Sequence, residues 1–521
     1  EILIGLVGSE MCIRDSKGTA ITSVTLPSTL SELGGNVFEN CARLSSAIFA
    51  KGNTSLTTIP NKLFAGTALT SITLPRGINF IGSDNPFGSV METFAVEEGE
   101  SEAFVSVREG ILYYKEAGGL VMAAIPANYS FENNSFTVPD GVYKISGNLF
   151  KNSGITQVTL SEDVTELMTD AFNGVTTLTA VYFAENGNLT VIGSNAFKNT
   201  SLESAEIPNT VKTLGSNAFD GVTTLKSLTF EEGGEQTLNV KGQVIKGTSL
   251  TSLAFPARSL TFDGKTFENV STLETVTFAD STNELVLNES VFKGTAVSSL
   301  NFGNRLITFK KAALNKLATL TSVIFGENAI IKQAEDEAFT GTSLTTVQIP
   351  AVENVSKFGN GVFGGISTLE SFTLAENNTV HEVVDGVLYL KDGENLILIQ
   401  VPAGKFDAQD TFVLPDNVVT IKTYAFEGVT VDTVYTSADS ILATLEKDCF
   451  GYYVATLSCK VKTLVLPATV SKFDAKAVEN CTQLSAINYR GTGIQWGKVV
   501  ADNNLSLPDS ITVTPNFVDA A

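Results

Sequence analysis

Histidine and cysteine, on which most metal sites and many catalytic sites depend, are scarce in this sequence. The 521 residues include one histidine and five cysteines. A Ser-His-Asp triad would need His381 beside a serine on a strained turn, and no Gly-x-Ser-x-Gly elbow occurs. A zinc site would need closely spaced cysteines or histidines, which are also lacking. We therefore expect no catalytic residue, no metal and no cofactor, and we interpret His381 as an incidental surface residue.

The cysteines are too few and too scattered for a disulfide framework. Two of them, Cys41 and Cys481, follow the same dipeptide Glu-Asn. A free cysteine packs like a small apolar residue. We therefore expect all five to be small core residues; they are Cys12, Cys41, Cys449, Cys459 and Cys481.

Basic residues are also few. The sequence contains 34 lysines and arginines and 56 aspartates and glutamates, which gives a net charge of −22. Phosphate groups repel such a surface, so we expect neither nucleic acid nor an anionic membrane as a partner. No apolar stretch reaches the ~18 residues needed to span a bilayer. Acidic clusters at residues 97–100 and 335–337 lack the ligand spacing of a calcium loop and are interpreted as solvated turns.

The first sixteen residues, EILIGLVGSEMCIRDS, match nothing that follows. They begin with an acidic residue and lack the basic region and cleavage site of a secretory signal. We interpret residues 1–16 as a non-native or junction-like leader, and we expect that the true N-terminus, with any export signal, is missing. The last residues, 491–521, do not follow the repeat pattern described below, and we interpret them as a C-terminal remnant or cap.

Between these ends, phenylalanine recurs in similar surroundings, as in the string Asn-Ala-Phe at Phe197 and Phe219. The recurrences are about 22 to 26 residues apart, a spacing typical of leucine-rich repeats. Ile245 and Leu314 occupy the same position in their repeats. The other anchors are Phe38, Phe64, Phe87, Phe150, Phe172, Phe267, Phe292, Phe339, Phe363 and Phe426.

A Leu-x-x-Val-x-Leu string follows each anchor after a short turn, as in Leu178–Val181–Phe183 and Leu273–Val276–Phe278. Its last apolar positions alternate with polar ones, which is the period of a half-buried strand. One such strand cannot bury its apolar face alone, whereas identical units stacked in a parallel sheet can. Residues 17–490 are therefore predicted to form a solenoid with parallel strands on a concave face and short helical turns.

The distance from anchor to strand alternates between six residues, as from Phe172 to Leu178, and five, as from Phe197 to Leu202. The five-residue type usually leads into a strand closed by proline, which donates no ladder hydrogen bond. The structural unit is therefore a pair of repeats about 47 residues long. The closing prolines are Pro75, Pro208, Pro256 and Pro350.

Two segments interrupt the array in the same way. Residues 110–127 and 386–403 match without a gap, and the match continues to Phe150 and Phe426. Each contains two apolar strands around a glycine-containing turn, which is a hairpin signal. We predict a duplicated segment with β-hairpin insertions at about residues 107–127 and 383–403.

The string Ile207-Pro208, Val211, Leu214-Gly215 and Ala218-Phe219 resembles the BspA-like (Treponema pallidum type) leucine-rich repeats, as does the insert at residues 385–393. The resemblance recurs in register over about residues 17–490. Many of the family's leucines are phenylalanine, valine or threonine here, and its cysteine after the anchor is present only at Cys41 and Cys481. Members are typically bacterial surface or secreted proteins, some of them adhesins. The resemblance therefore implies a horseshoe-like extracellular binding scaffold, and it supplies no catalytic residue.

The strand strings have two polar columns that point away from the core. The first is nearly all serine and threonine, which suits a crowded parallel ladder for structural reasons. The second varies, so a partner could be recognised there, with the larger side chains as anchors. The candidate ligand-facing residues are Ile48, Tyr182, Glu206, Asn301, Ile324, Gln348, Tyr435 and Asn488.

The leading hypothesis is an extracellular or cell-surface interaction scaffold, monomeric, that binds a protein or glycan ligand through the concave sheet. A passive surface spacer is the alternative. An ice-binding array is a further one, because threonine and serine hydroxyls repeat at strand spacing, although Tyr, Ile and Glu interrupt them. A polysaccharide-active enzyme would need a carboxylate pair or basic cluster at one cleft, and the strand face carries hydroxyls instead.

Overall fold

The computed structural model describes residues 16–84, 86–99, 104–407, 410–451 and 460–519, together with the backbone of Ile2–Leu3. Two compact units divide the chain, Glu1–Leu250 and Thr251–Ala521. Both are β-solenoids in which each turn contributes a strand to one row and, in most turns, a second strand to another row. The repeat solenoid predicted from the sequence is confirmed.

The first row contains the strands predicted from the Leu-x-x-Val-x-Leu strings, together with Ile2–Leu3 and Thr512–Thr514, which lie outside the predicted solenoid. Neighbouring strands within each sheet are parallel. In the first unit they are Ile2–Leu3, Ser23–Leu26, Ser46–Phe49, Ser71–Leu74, Thr93–Val96, Ser135–Thr137, Gln157–Thr159, Ala180–Tyr182, Ser204–Ile207 and Ser227–Phe230. In the second unit they are Ser252–Phe255, Thr275–Phe278, Ser299–Asn301, Ser322–Ile324, Thr346–Ile349, Ser371–Leu374, Thr411–Val413, Thr433–Tyr435, Thr463–Leu466, Ala486–Tyr489 and Thr512–Thr514.

The second row contains mostly shorter strands that follow the acidic or proline-containing turns. In the first unit they are Thr58–Ile59, Phe80–Ile81, Val142–Ile145, Glu166–Leu167, Val191–Ile192, Thr213–Leu214 and Leu238–Val240. In the second unit they are Leu260–Phe262, Glu284–Leu287, Leu306–Phe309, Ile330–Ala334, Ala351–Val352, Val418–Ile421, Thr444–Leu445 and Lys472–Phe473.

Alternating burial explains why the first-row segments are strands. In Ser204–Ile207, for example, Ala205 and Ile207 are buried whereas Ser204 and Glu206 are exposed. Successive side chains of a strand point to opposite faces, so one face lines the core and the other meets solvent. The strands end immediately before Pro75, Pro208, Pro256 and Pro350, as expected of a residue that cannot donate to the ladder.

The anchors lie in tight turns and form the centre of the core. All fourteen anchor side chains named from the sequence are at most 2% exposed. The rings of Phe172, Phe197 and Phe219 stack in sequence, with centroids 5.5 and 5.3 Å apart. The backbone joins the same turns, since the Phe172 N–H donates to the Ala196 carbonyl and the Phe197 N–H to the Ala218 carbonyl, each at 2.8 Å.

A buried threonine distinguishes the five-residue connections. Three residues after the anchor, its hydroxyl donates to the anchor carbonyl, as in Thr200 to Phe197 and Thr342 to Phe339. Several six-residue connections have a buried valine at that position instead, as in Val175 and Val222. In these repeats the alternation of connection length accompanies an alternation between a polar and an apolar way of closing the turn. The other threonines of this kind are Thr67, Thr248 and Thr295.

The two insertions are antiparallel sheets of three strands, one more than the predicted hairpin. The first contains Val105–Arg108, Ile111–Glu116 and Gly119–Ala124. The second contains His381–Val384, Val387–Asp392 and Asn395–Gln400. The additional strand enters through a two-residue turn, and both central residues of that turn have positive φ (Asp385 48°, Gly386 73°). Asp-Gly is a strong signal for such a turn, and the sequence interpretation overlooked it.

Helices are few among the described residues. Two 3-10 turns lie at Glu132–Asn134 and Val355–Lys357, and one α-helix spans Gly493–Asp502. The Thr492 hydroxyl accepts from the Gln495 backbone N–H and the Gln495 side chain accepts from the Thr492 N–H, which is a capping box. After the helix, strand Thr512–Thr514 pairs with Ala486–Tyr489. Apart from Ile2–Leu3 and residue 16, the leader lies outside the described residues.

Truncation of a central anchor is expected to destabilise its surroundings strongly. Phe197 is 0% exposed and stacks on rings above and below it. We expect Phe197→Ala to lower the free energy of unfolding by about 3 to 5 kcal/mol, because a cavity remains in the core. Phe197→Leu is the control and should cost under about 1.5 kcal/mol, since Leu314 occupies the same position in its own repeat. Urea unfolding measures both, and equal costs would contradict the role of the ring.

Candidate functional site

The side chains that point away from the core in the middle of the first-row strands form a column in each unit, which we call the outward row; most are exposed, and Thr159, Tyr435 and Asn488 are half-buried. Neighbouring members are paired in register, as Asn301 is with Ile324 and Thr159 with Tyr182. In the first unit the outward row consists of Thr25, Ile48, Thr73, Ala95, Thr137, Thr159, Tyr182, Glu206 and Thr229. In the second unit it consists of Ala254, Thr277, Asn301, Ile324, Gln348, Thr373, Val413, Tyr435, Asn488 and Thr514, whereas Val465 at the equivalent position is buried.

The first-row strands do not form one uninterrupted ladder within each unit. Within the described chain, no pairing joins Ser46–Phe49 to Ser71–Leu74, Ala180–Tyr182 to Ser204–Ile207, or Ser322–Ile324 to Thr346–Ile349. We call these three places the ladder breaks. Each precedes a strand reached by a five-residue connection, although the five-residue connections that follow Phe150, Phe292 and Phe426 lead into paired strands.

The large apolar members of the outward row border such interruptions. Ile48, Tyr182 and Ile324 are 55%, 51% and 48% exposed, and each lies on the strand immediately before a ladder break. Val413, 60% exposed, begins the sheet that follows the second insertion. Threonine, alanine, asparagine, glutamine and glutamate occupy most other positions. Because exposure of an apolar side chain stabilises no part of the fold, these positions are where a partner would gain most by covering the surface.

The first ladder break contains a shallow depression. It has a volume of about 290 Å³ and lies between Ser46–Phe49 and the strands Ser71–Leu74 and Thr93–Val96. Ile48 stands on one side of it, and Thr73 and Ala95 stand on the other. The lining combines exposed Ile48 and the buried residues Phe49, Ile72 and Phe94 with alanines and hydroxyl-bearing residues, and it includes no charged group.

The other candidates are distributed over both units. Glu206 follows the second ladder break and Gln348 follows the third, and both are exposed. Asn301 is exposed beside Ile324, and its carboxamide accepts from the Gly303 N–H at 3.0 Å. The structure thus places Tyr182 and Glu206 on either side of one ladder break, and Ile324 and Gln348 on either side of another.

Tyr435 and Asn488 are half-buried, unlike the other six candidates. The Tyr435 hydroxyl donates to the Asp519 carboxylate at 2.9 Å, and the Arg490 guanidinium lies over its ring at 5.4 Å. Arg490 also binds Asp519 at 2.9 Å. Residues near the C-terminus therefore occupy the polar end of Tyr435, which reduces the area it offers to a partner.

His381 is a buried residue, so its interpretation as a surface residue is wrong. It is 1% exposed, and it is the first residue of the additional strand of the second insertion. Its ring lies 5.3 Å from the Phe358 ring, and Nδ1 lies 3.2 Å from the carboxamide nitrogen of Asn378. Burial, together with the positive charge of Lys391, lowers the pKa of His381 to about 4. The imidazole is therefore neutral at physiological pH and packs as a core residue.

Two further polar side chains that the sequence interpretation did not single out are deeply buried in the second unit. Arg305 is 0% exposed and donates to the carbonyls of Pro256, Arg258 and Ala279. Glu427 is 3% exposed beside the turn that contains Gly361 and Gly365. Burial, with a smaller contribution from Glu337, raises the pKa of Glu427 to about 7. Sequence offers no signal for either, because arginine and glutamate are usually exposed.

The cysteine expectation is confirmed for two residues and incomplete for a third. Cys41 and Cys449 are buried free thiols. Cys481 is also buried but forms a disulfide bond, which the sequence interpretation did not anticipate. Cys12 and Cys459 lie outside the described residues.

No group of three or more histidine, cysteine, aspartate or glutamate side chains is arranged to hold a metal ion within the described ranges. Those ranges also contain no helix that is long and apolar enough to cross a membrane.

The family model described as BspA type Leucine rich repeat region matches the chain in six copies over residues 16–100, 126–226, 190–288, 286–389 and 405–515. No curated protein matches the sequence.

Solved structures with similar repeats include a leucine rich cell surface protein from Faecalibacterium prausnitzii, at 20% identity and a TM-score of 0.29, covering 77% of this chain and 98% of that one. A leucine-rich repeat protein from Bacteroides ovatus is similar at 14% identity and a TM-score of 0.40, covering 80% and 100%. The pneumococcal vaccine antigen PcpA is similar at 14% identity and a TM-score of 0.24, covering 80% and 99%.

The buried carboxyl group of Glu427 gives a pH-dependent stability. Its folded pKa of about 7 lies above the ordinary value of 4.5, so the folded state holds a proton that the unfolded state releases. This contribution is complete below about pH 4.5 and is lost as pH rises through 7. We expect the difference in unfolding free energy between Glu427→Gln and the natural chain to grow by about 3 kcal/mol from pH 4.5 to 8 in favour of the variant.

Urea unfolding at several pH values measures that difference. The comparison removes the opposite effect of His381, which operates equally in both proteins. Glu353→Gln, at an exposed glutamate, is the control and should show no such trend. A difference between Glu427→Gln and the natural chain that stays constant with pH would show that the buried carboxyl group does not titrate in this range.

Proposed function

The chain belongs to the family of BspA-type leucine-rich repeat proteins, and we propose that it is an extracellular or cell-surface interaction scaffold that binds a protein or glycan ligand through the outward row. The observation that carries the proposal is the position of Ile48, Tyr182 and Ile324. Each is about half exposed, and each borders a ladder break on an otherwise polar surface.

A protein ligand suits these positions better than a glycan. Interfaces gain most of their affinity from a few large side chains that become buried, with polar contacts around them. Ile48 and Ile324 have no hydrogen-bonding group in their side chains, so they cannot pair with sugar hydroxyls. The hydroxyl groups of Thr73 and Thr277 on the same row could bond to backbone groups of a protein partner at the rim.

The location outside the cell is also part of the proposal. Members of this family are typically bacterial surface or secreted proteins, and the disulfide bond of Cys481 is of a kind that persists in oxidising compartments. The strongly negative net charge of −22 would keep such a protein from binding anionic surfaces through non-specific attraction.

A binding screen with matched variants tests the proposal. The full chain is applied to a panel of purified extracellular proteins and to a glycan array, and each binder is titrated against Ile48→Ser, Tyr182→Ser and Ile324→Ser. We expect a protein ligand whose dissociation constant rises about tenfold or more in at least one variant, as for loss of an apolar anchor.

Ile494→Ser is the control, because Ile494 is 88% exposed on the helix Gly493–Asp502 and does not belong to the outward row. It should leave binding unchanged. Thermal unfolding should be the same for all four variants, since each replaces an exposed side chain. A screen without any binder, or a binder to which all four variants bind equally well, would reject the outward row as the binding surface.

A further inference from the structure

A groove opens in the first unit beside the first insertion. It has a volume of about 440 Å³, which is within the size range of small-molecule sites. Its lining comes from the anchor turns at Phe38, Phe64, Phe87 and Phe150 and from residues 123–131, at the end of the insertion and just after it. It differs from the depression at Ile48, and the outward row contributes no residue to it.

The groove exists because the stack of anchor turns separates at the insertion. The turn at Phe150 follows the turn at Phe87 in the stack. Among the residues that the structure describes there, one β-bridge, between Asp84 and Gly147, joins the two turns. In the equivalent place of the second duplicated segment, the Gly365 N–H donates to the Glu427 carbonyl and the Val401 N–H donates to the Ala425 carbonyl.

Those two hydrogen bonds have no counterpart in the first segment. The corresponding pairs would be Ser89 with Lys151 and Ile125 with Leu149, and within the described part of the chain neither pair is bonded. Buried Glu427 takes the position that exposed Lys151 holds in the first segment. The stack of anchor turns is therefore closed beside the second insertion and open beside the first. The opening depends on the residues of the first duplicated segment.

Aromatic rings line one side of the groove. Tyr129 and Phe131 are half-buried, with ring centroids 4.9 Å apart. Phe131 and Phe150 lie 6.2 Å apart, which fixes the ring of Phe131 against the core. The second segment has Lys405 and Asp407 at the positions of Tyr129 and Phe131. The rings are thus specific to the open copy.

Carboxamides and balanced charges line the rest. Asn148 and Asn152 have positive φ (61° and 64°), which sets them at the corners of the turn, and no side-chain hydrogen bond occupies either amide in the ranges described. Lys62 pairs with Asp84 at 3.0 Å, and Glu39 pairs with Lys17. The charged groups are therefore mostly neutralised, whereas the amides remain available as both donors and acceptors.

From this combination we propose that the groove binds a neutral saccharide unit, one or two sugar rings in size. The apolar face of a sugar ring packs on aromatic rings, and its hydroxyls both donate and accept hydrogen bonds, as carboxamides do. An anionic sugar is disfavoured by the protein's net charge of −22. This site is separate from the proposed function and binds independently of the outward row.

Saturation-transfer NMR tests the proposal with neutral mono- and disaccharides of hexose, deoxyhexose and N-acetylhexosamine type, added to the full chain. We expect at least one class to bind with a dissociation constant of about 0.1 to 1 mM, since a sugar ring offers few atoms to contact. Tyr129→Lys and Asn152→Gly should each reduce the signal at least about fivefold. Both variants copy the second segment, and glycine accepts the positive φ of Asn152 without strain.

The control is Lys405→Ala in the second segment, which should leave the saccharide signal unchanged. Ile48→Ser should leave it unchanged as well, which separates this site from the outward row. The proposal is overturned if no neutral saccharide gives a signal, or if the signal persists in both groove variants. It is also overturned if tri-leucine peptide binds and Tyr129→Lys abolishes that binding, because the groove would then be a peptide site.

Discussion

The hydrogen bond that most anchor residues donate to the next turn is the interaction on which this structure depends. A single repeat of about two dozen residues cannot bury its own apolar face. Burial is achieved only when the N–H of an anchor such as Phe172 reaches the carbonyl before the next anchor, Ala196, and the two rings stack. The anchor turn therefore sets the spacing of the strands, and the parallel rows follow from it.

The surface departs from regularity at particular places in the stack. All three ladder breaks precede strands reached by a five-residue connection, although the five-residue connections after Phe150, Phe292 and Phe426 lead into paired strands. At each insertion, a three-stranded antiparallel sheet separates two anchor turns along the chain, and these two turns must still pack against each other. The second copy has turn-to-turn hydrogen bonds, whereas among the described residues the first copy has only the bridge from Asp84 to Gly147. Both candidate binding surfaces thus lie where the stack is imperfect.

Much of the fold could be predicted from the sequence, because periodic features report directly on stacking. The anchors, the proline strand ends and the duplicated insertions all depend on local spacing, and the structure confirms them. The outward orientation of Ile48 and Tyr182 followed from strand alternation. Their position beside the ladder breaks did not, since pairing between strands depends on backbone approach that a single repeat does not encode.

The burial of residues outside the repeat pattern could not be predicted from the sequence. His381 had no periodic signal, and its burial depends on a third strand that packs it against Phe358. Glu427 and Lys151 occupy equivalent positions in the duplicated segments, yet one is buried and the other exposed. In the second segment, Gly361 and Gly364 leave space for the Glu427 carboxyl group, and the Gly365 N–H donates to the Glu427 carbonyl.

Hydrogen exchange of the backbone amides, resolved along the chain, tests the central claim most directly. If the anchor turns hold the solenoid together, the amides of Phe172, Phe197 and Phe219 exchange slowest, and slow exchange recurs at each anchor. Strands that border ladder breaks, such as Ser71–Leu74, then exchange faster than strands inside a sheet, such as Gln157–Thr159. Rapid exchange at the anchors, or uniform protection without a repeat period, would contradict the account.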